Sequence, residues 1–491
     1  MKTRSIRRRD FLGAGAAAVA ASCGEGPAVK TGARRPNVVY FMPDQMRAQA
    51  MGCSGNRQVR TPHIDRLAAG GVHFRNTLAN TPVCCPARSI LQTGMYASRN
   101  GVVANDLRLR EDLTGIAEIL GGEGYQTAFI GKWHLDGGKR LPGFIPPGPR
   151  RQGYQFWAAN ECSHQHFSNH YFRDTPEPIP INKFEAVGWT DIGLEFIDAA
   201  RHRDEPFLAM IQVGPPHNPY KAPPEYSAQY PAEKIELRPN WKKAPGVPGP
   251  PEIAEYYGMV TCIDDQIGRL MKALEDWGIA EDTIFVFNSD HGDMLGSQGQ
   301  RLKRKPWEES IRVPGIFHYP ARIQPGRQEQ TLFGHIDMAP TLLSLCGAPI
   351  PDSMQGTNLA HVVTGQGTDA PDSVFFQIFG PYVAGGVAEG WRGVRTQRHM
   401  YARYEDRPWV LYDLDEDPFE QNNLAADPAA KSLVAEMDRR IEAWMAKTGD
   451  SWALDWRRPV EDKGRLYKHR TFYTVQEYYK WADQHPELDR D

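Results

Sequence analysis

Four predominantly apolar segments, each too short for a buried helix, set the strongest limit on how this chain folds. They cover residues 38–42, 127–130, 207–213 and 283–287. Continuous apolar segments of this length are typical of strands buried on both faces, as in a parallel sheet. A stretch with helical periodicity, residues 253–277, precedes the last of them. The sequence therefore predicts an α/β fold with a large mixed, mostly parallel sheet sandwiched by helices.

Charged and imidazole side chains follow these segments closely. Such residues at strand ends point to a site, because ligands of open α/β sheets bind beyond the carboxyl ends of the strands. A single histidine there is more often a structural one, but several together favour a shared site. Three of them offer the oxygen and nitrogen ligands of a divalent cation, although residues 290–293 could instead cap a helix. The six residues are Asp44, Lys132, His134, His217, Asp290 and His291.

The pattern changes after about residue 365. Four short strand-like segments follow, at residues 374–379, 391–395, 400–404 and 410–414, and then a helix with apolar residues four apart. This order predicts a smaller C-terminal α+β subdomain with an antiparallel sheet. The predicted boundaries are a catalytic domain at 36–365, the subdomain at 366–450, and a C-terminal extension at 451–491 that packs on the protein or, alternatively, offers a binding surface.

The first 22 residues have the pattern of an export signal. Arg7 and Arg8 precede Phe11-Leu12 and an apolar stretch too short to span a bilayer, as in twin-arginine (Tat) signal peptides. Cys23 follows a degenerate lipobox, and one acyl chain there would hold the protein only weakly. We therefore predict the Tat export machinery as a partner and a periplasmic or extracellular location, lipid-anchored if Cys23 is acylated. A basic helical N-terminus of a cytosolic protein is the alternative.

Charge and cysteine usage exclude other classes. The chain has 57 Lys and Arg against 60 Asp and Glu, a net charge of −3, whereas a dedicated nucleic-acid binder has a basic footprint. We therefore expect no nucleic-acid partner, and membrane contact only through a lipid at Cys23. The seven cysteines form no CxxC motif, which argues against a zinc ribbon and leaves any disulfide pairing open.

The segment Cys84-Cys85-Pro86-Ala87-Arg88, followed by Leu-Gln-Thr-Gly, resembles the C-x-P-x-R signature of sulfatases. Other family-like blocks follow the family's order, including residues 36–45, 131–135, 289–296 and 303–314. On these motifs, the chain is identified as a member of the formylglycine-dependent (type I) sulfatases of the alkaline-phosphatase-like superfamily. The likeness runs from about residue 36 to 445, and it implies an alkaline-phosphatase-like fold.

The resemblance also implies a modified nucleophile and a metal ion. A maturation enzyme would convert Cys84 to formylglycine (3-oxoalanine), whose hydrate attacks sulfur. One Ca²⁺ ion would bind the modified residue 84 and the sulfate group. Cys85 holds a variable position of the signature and is expected to be an inert small residue. The implied metal ligands, besides the modified Cys84, are Asp44, Gln45, Asp290 and His291.

Five further roles come from the same resemblance. Arg88, Lys132 and Lys303 are implied to be cationic donors to the diol and the sulfate oxygens. His134 resembles the base that assists sulfate release, and His217 resembles the acid that protonates the leaving alkoxide.

Gln45 departs from the pattern, since many sulfatases have a second Asp there. An Asp-Gln pair also occurs in phosphonate monoester hydrolases and choline sulfatases of the superfamily. The phosphonate enzymes lack the Lys-x-His pair found here as Lys132 and His134. This contrast favours a sulfate ester, while some activity on phosphate esters would be unsurprising.

Specificity should come from a polar, aromatic loop at residues 160–172, in which His164 and His166 are predicted to bind substrate. The alternative is an ordinary surface loop. The predicted function is an exported sulfatase for sulfated carbohydrates, because export favours extracellular glycans. The alternatives are an arylsulfatase or choline-sulfate-type sulfatase, a phosphonate or phosphate monoester hydrolase, and a non-catalytic module that binds sulfated glycans.

Overall fold

The computed structural model describes residues 35–137, 142–379 and 389–452, and the backbone of two short strands beyond them. The predicted signal peptide, Cys23 and nearly all of the predicted extension lie outside the described residues.

The described strands cover every strand-like segment singled out in the sequence. They are β1 (Asn37–Pro43), β2 (Val72–Leu78), β3 (Gln126–Lys132), β4 (Phe156–Asn160), β5 (Asn169–Tyr171), β6 (Ile179–Ile181), β7 (Phe207–Val213), β8 (Thr283–Asn288), β9 (Arg312–Val313), β10 (Gly315–His318), β11 (Arg327–Gly334), β12 (Val374–Ile378), β13 (Trp391–Arg395), β14 (His399–Arg403), β15 (Pro408–Asp413), β16 (Val460–Asp462) and β17 (Arg465–Tyr467).

The α-helices lie mainly between the strands of the first 350 residues. They are α1 (Pro62–Ala69), α2 (Cys84–Thr93), α3 (Ala97–Asn100), α4 (Ile116–Gly122), α5 (Glu185–Ala200), α6 (Pro224–Ser227), α7 (Pro250–Asp276), α8 (Glu308–Ile311), α9 (Met338–Leu345), α10 (Ala360–Val363) and α11 (Lys431–Thr448).

The main sheet has nine strands, in the order β11-β2-β10-β8-β1-β7-β3-β4, with β9 beside β2. Only β9 and β10 run antiparallel to their neighbours in this sheet. The four strands predicted from apolar segments are adjacent at its centre, and every residue of β1, β7 and β8 is buried. The predicted mixed, mostly parallel sheet is therefore confirmed.

Helices cover both faces of this sheet. Because successive side chains of a strand point to opposite faces, Val39 and Phe41 of β1 pack in one core with α5 and α7. Val38 and Tyr40 pack in a second core with α4 and α9. The long helix α7 begins with proline at its first position, and Glu252 accepts the N–H of Gly249 to cap it.

A second sheet, β12-β13-β14-β15, is antiparallel, as predicted for the C-terminal region. The helix α11 packs on one of its faces through Met437 and Ile441. Its other face shares a core with Leu78 of β2 and Val83, which directly precedes α2. The small sheet therefore supports the segment that carries Cys84.

No helix in the described ranges is both long and apolar enough to cross a membrane. The six cysteines of the described ranges are free thiols, and all but Cys53 are buried.

Candidate active site

The carboxyl ends of the four central strands and the first turn of α2 meet at one edge of the main sheet. The N–H of Asp44 donates to the carbonyl oxygen of Val213 at 2.9 Å, which ties the end of β1 to the end of β7. Asp290 Oδ1 accepts the N–H groups of Gln45 and His291, each at 2.9 Å. Asp290 thus joins the ends of β8 and β1. Residues 289–293 form a loop, so the helix-cap alternative for this segment is wrong.

Two buried carboxylates and two buried cations form the floor of this site. Asp44 Oδ2 lies 3.1 Å from Arg88 Nη2 and 2.7 Å from Lys132 Nζ. Asp290 Oδ2 lies 3.0 Å from Arg88 Nη2, and the Nη1 of Arg88 donates to Gln212 Oε1 at 2.6 Å. Burial raises the pKa of Asp44, but the positive charges of Lys132 and Arg88 outweigh it, so the pKa is well below its ordinary value. Asp44 is thus held charged although it is buried, whereas burial and the neighbouring Asp44 raise the pKa of Asp290.

Cys84 is the first residue of α2 and points into this floor. Its Sγ lies 3.2 Å from His291 Nε2 and 3.9 Å from Asp44 Oδ1. Burial raises the pKa of the thiol, but the positive charges of Lys303, Lys132 and His291 lower it by more, so the pKa is well below its usual value. A helix N-terminus favours negative charge in the same way. The site therefore stabilises an anionic group at position 84.

The donor atoms around Cys84 fit a divalent cation. Those of Asp44, Cys84, Asp290 and His291 all lie within 4.8 Å of one another, and all four residues are buried. Two carboxylates and one imidazole are the donors of a site for a hard or borderline cation. The side chain at position 84 is a thiol, and its Sγ is the fourth donor atom of this cluster.

Gln45 lies beside this cluster, but its side chain is engaged by other groups. Its Oε1 accepts from Lys303 Nζ at 2.6 Å, and its Nε2 donates to Asp293 Oδ2 at 2.6 Å. The backbone of Gln45 has a φ of 69°, a strained value for a residue with a side chain. A role as metal ligand for Gln45 stays a prediction.

His217 and Lys303 form a hydrogen-bonded pair beside the floor. The Nδ1 of His217 lies 2.6 Å from the carbonyl oxygen of Asn218. Because a carbonyl only accepts, Nδ1 carries a proton and Nε2 is left to accept from Lys303 Nζ, 2.8 Å away. Burial and the charge of Lys303 lower the pKa of His217 to about 3. The imidazole is therefore neutral and accepts a hydrogen bond from Lys303 at Nε2.

The two histidines of the predicted substrate loop hold His217 from different sides. The ring of His164 lies flat on that of His217, with centroids 4.1 Å apart and an interplanar angle of 5°. His166 Nε2 donates to the carbonyl oxygen of His217 at 2.7 Å, and its Nδ1 lies 2.5 Å from Glu185 Oε1. Both ring nitrogens of His166 are thus engaged within the protein. The predicted substrate contacts of His164 and His166 stay predictions.

His134 lies beside the site with its ring held by Asp106, whose Oδ1 is 3.2 Å from His134 Nε2. Its φ of 55° puts the backbone in the left-handed region. The N–H of Asp106 in turn donates to Cys85 Sγ at 3.2 Å. Burial raises the pKa of Cys85 to about 11, so this thiol stays protonated and supports the loop that orients His134.

The structure brings together all six strand-end residues together with Cys84, Arg88 and Lys303. Sequence reasoning missed Asp106, Gln212, Glu185 and Asp293, which orient His134, Arg88, His166 and Gln45. Gln212 did carry a signal, because it is the one strongly polar residue in the apolar segment 207–213. The other three lie in loops or at a helix start, where a polar residue is expected without any special role.

Two family models and several curated relatives match this chain. The family model described as Sulfatase matches residues 36–348, more than half of the chain. The model described as N-sulphoglucosamine sulphohydrolase, C-terminal, matches residues 296–447. The chain is 36% identical to an ulvan-active sulfatase of Formosa agariphila, over 85% of this chain and 82% of the relative. It is 29% identical to an endo-4-O-sulfatase of Bacteroides thetaiotaomicron, over 86% of this chain and 94% of the relative.

Solved structures share the fold. One, from work on the metabolism of multiple glycosaminoglycans by Bacteroides thetaiotaomicron, has a TM-score of 0.78 at 26% identity and covers 85% of this chain and 98% of its own. A phosphonate monoester hydrolase of Agrobacterium radiobacter has a TM-score of 0.70 at 23% identity and covers 84% of this chain and 96% of its own. At this identity the likeness shows only the shared alkaline-phosphatase-like fold. With the family model spanning the strands that converge on Cys84, the chain belongs to the sulfatase family and is a sulfuric ester hydrolase.

Proposed function

We propose that this protein is an exported sulfatase that hydrolyses sulfate esters of a sulfated polysaccharide, using a formylglycine formed at Cys84 and one Ca²⁺ ion. The 36% identity to an ulvan-active sulfatase over most of both chains carries the substrate class. The endo-4-O-sulfatase supports the same class. The twin-arginine pattern at Arg7-Arg8 supports export by the Tat machinery, and Cys23 is a candidate lipid-attachment site.

The local chemistry supports a modified residue at position 84. A formylglycine hydrate there would supply one hydroxyl as the nucleophile on sulfur and a second hydroxyl that helps to expel sulfate. The surrounding cations, Lys132, Lys303 and Arg88, already lower the free energy of negative charge at this point. Arg88 is fixed by its contacts to two carboxylates, so it is oriented before substrate arrives.

The metal ion would be held by Asp44, Asp290, His291 and the modified residue 84, with Gln45 as a neutral further ligand. It would neutralise negative charge on the sulfate group. Arg88 and Lys132 already contact the two carboxylates. When the ion binds, these carboxylates would have to contact the ion and the two cations at the same time. The oxygen-rich donor set favours Ca²⁺ over Zn²⁺, because no thiolate remains after modification.

Removal of metal should therefore abolish sulfate release, and Ca²⁺ should restore it more completely than Zn²⁺. The measurement is the rate on an aryl sulfate after chelation, confirmed by elemental analysis, and after return of each ion. Full activity in protein shown to be free of metal would contradict the assignment of these ligands.

The stacking of His164 on His217 leads to a second prediction. The flat ring contact restricts rotation of His217 about its side-chain bonds, so His164 is expected to act as a positioning residue. His164→Ala should lower kcat on a sugar sulfate about tenfold, whereas His164→Phe, which keeps a planar ring, should retain most of it. On an activated nitrophenyl sulfate both variants should stay close to the unsubstituted enzyme.

The same pair of variants separates positioning from substrate binding. If a ring nitrogen of His164 binds the sugar, phenylalanine cannot replace it, and both variants should raise KM alike. That result would contradict the positioning role and support the role predicted from the sequence.

The substrate class itself is tested with sulfated oligosaccharides from ulvan and from glycosaminoglycans beside nitrophenyl sulfate and phenyl phosphonate. Sulfate released from an oligosaccharide with a kcat/KM above that for the aryl ester is the expected result. Preferential hydrolysis of the phosphonate would favour the second candidate, a phosphonate monoester hydrolase, which Gln45 allows. The presence of both Lys132 and His134 at the site argues against it.

A further inference from the structure

A cavity of about 440 Å³ lies outside the catalytic centre, and none of its lining residues belongs to the site described above. Its walls are the segments 54–58 and 236–239, Tyr257 of α7, Arg312 of β9 and the turn at Pro418-Phe419. A volume of this size accommodates one or two sugar units.

The walls are held in place by the protein's own hydrogen bonds. The Gln58 side chain makes two bonds to the backbone of Glu236, donating from Nε2 at 3.0 Å and accepting at Oε1 at 2.8 Å. Asn56 Nδ2 donates to the carbonyl oxygen of Gln49 at 2.9 Å and to the hydroxyl of Tyr257 at 3.2 Å. A ligand would therefore meet a preformed cavity and would lose little affinity to ordering of the walls.

Positive charge prevails around the cavity. Arg238 and Arg312 line it and pair with the buried carboxylates of Glu309 at 3.1 Å and Glu308 at 2.7 Å. Glu308 is shared with a third guanidinium, that of Arg395.

Two more arginines add to this charge. Arg47 is buried close to Glu309 and Asp293, and its Nε and Nη1 have no hydrogen-bond partner among the described residues. Arg57 lines the cavity, is exposed, and forms no ion pair within the described ranges. Among the lining residues themselves, the guanidinium groups of Arg57, Arg238 and Arg312 stand against the one carboxylate of Glu236, and Arg57 is the one of the three without an ion pair in the described ranges, so the cavity surface can attract an anion.

The remaining lining suits a sugar ring. Phe419, Leu237 and two prolines offer apolar surface, and the Arg238 guanidinium lies over the Phe419 ring at 5.2 Å. The side-chain amides of Asn56 and Gln58 also line the cavity, but they are engaged in the hydrogen bonds that hold its walls. Apolar surface beside guanidinium groups matches a sugar ring that carries an oxyanion.

We propose that this cavity is a second carbohydrate-binding site, which takes a sulfated sugar unit of the polymer away from the catalytic centre. The proposal rests on the proposed function in its choice of ligand. A polymer held at a fixed second point has a raised effective concentration at the catalytic centre. The site should therefore strengthen the binding of long chains and have no effect on small esters.

The test is native electrophoresis of the full-length protein in gels containing ulvan or chemically desulfated ulvan. Cys84→Ala is present in every sample, so that the polymer is not consumed. In this background Arg57→Glu should weaken ulvan binding about fivefold or more, and Arg57→Lys should retain most of it. The matched control is Arg439→Glu, which reverses the charge of another exposed arginine, on α11. It should leave unchanged the extent to which ulvan in the gel slows the protein's migration.

Turnover of nitrophenyl sulfate by the same Arg57 and Arg439 variants with Cys84 intact should stay within about twofold of the unsubstituted enzyme. Equal retardation of Arg57→Glu and Arg439→Glu would overturn the second site. So would equal weakening in ulvan and desulfated ulvan, because the ligand would then carry no required sulfate. Failure of the proposed function gives a different result from failure of the second site. In that case the unsubstituted enzyme would release no sulfate from ulvan fragments.

Discussion

Replacing Cys84 with alanine should lower sulfate release by about a thousandfold or more while the protein stays folded. Position 84 lies at the convergence of the metal-binding donors, with Sγ 3.2 Å from His291 Nε2, and no neighbour can take its place as nucleophile. Alanine leaves the first turn of α2 intact, since it has a high helix propensity. The measurements are initial rates on an aryl sulfate, thermal unfolding, and mass spectrometry of the peptide that contains residue 84.

Cys85→Ala is the matched control. Cys85 is equally buried, but it packs in the core on one face of the main sheet, among residues such as Leu91 and Phe129. Its Sγ accepts the N–H of Asp106 and also contacts the ring of His134. The substitution should cost stability, about 1–2 kcal/mol for a small buried group, and retain most activity. Lost activity in Cys85→Ala, with normal formylglycine content at position 84, would show that the two cysteines have been assigned wrongly.

The sequence predicted the main sheet and the meeting of Asp44 with Asp290, because both depend on short-range patterns. A short continuous apolar segment indicates a strand that is buried on both faces. The carboxyl ends of neighbouring parallel strands lie at the same edge of the sheet. The register of β1 with β7 and β8 then fixes which residues meet. Cys84 was predicted by resemblance, and the structure gives the physical reason for its place, the start of α2 beside the ends of these strands.

The contacts that orient the site could not be predicted in the same way. The stacking of His164 on His217 depends on the path of a long loop, and no periodic pattern encodes it. The hydrogen bond from Lys303 to Gln45 joins residues 258 positions apart in the chain. Such contacts are set by the packing of whole elements, which leaves no local trace in the sequence.

The pairing of Lys303 with His217 changes how the leaving alcohol would be protonated. The sequence assigned His217 alone as the acid, yet its Nε2 accepts from Lys303 and its pKa is lowered to about 3. A neutral imidazole has no proton to give at Nε2. We therefore expect the proton to come from Lys303, either directly or through His217, so that both residues are needed when the leaving alkoxide is strongly basic.

His217→Ala should consequently act selectively on substrates with poor leaving groups. We expect a loss of about a hundredfold or more in kcat/KM on a sugar sulfate and a much smaller loss on nitrophenyl sulfate, whose phenolate departs without a proton. Lys303→Ala should show the same direction with an added loss on both substrates, because Lys303 also stabilises negative charge near position 84. The measurement is the ratio of the two rates in each variant.

His134→Ala should behave differently, because the described hydrogen bond of the His134 ring is to Asp106 and not to the Lys303–His217 pair. If it assists the expulsion of sulfate, its loss should slow both substrates alike and allow one equivalent of alcohol to leave before turnover stalls. Rapid-quench measurement of alcohol and sulfate in the first turnover checks this. A first-turnover excess of alcohol in His217→Ala instead, with equal losses on both substrates, would mean that the two histidines exchange these roles.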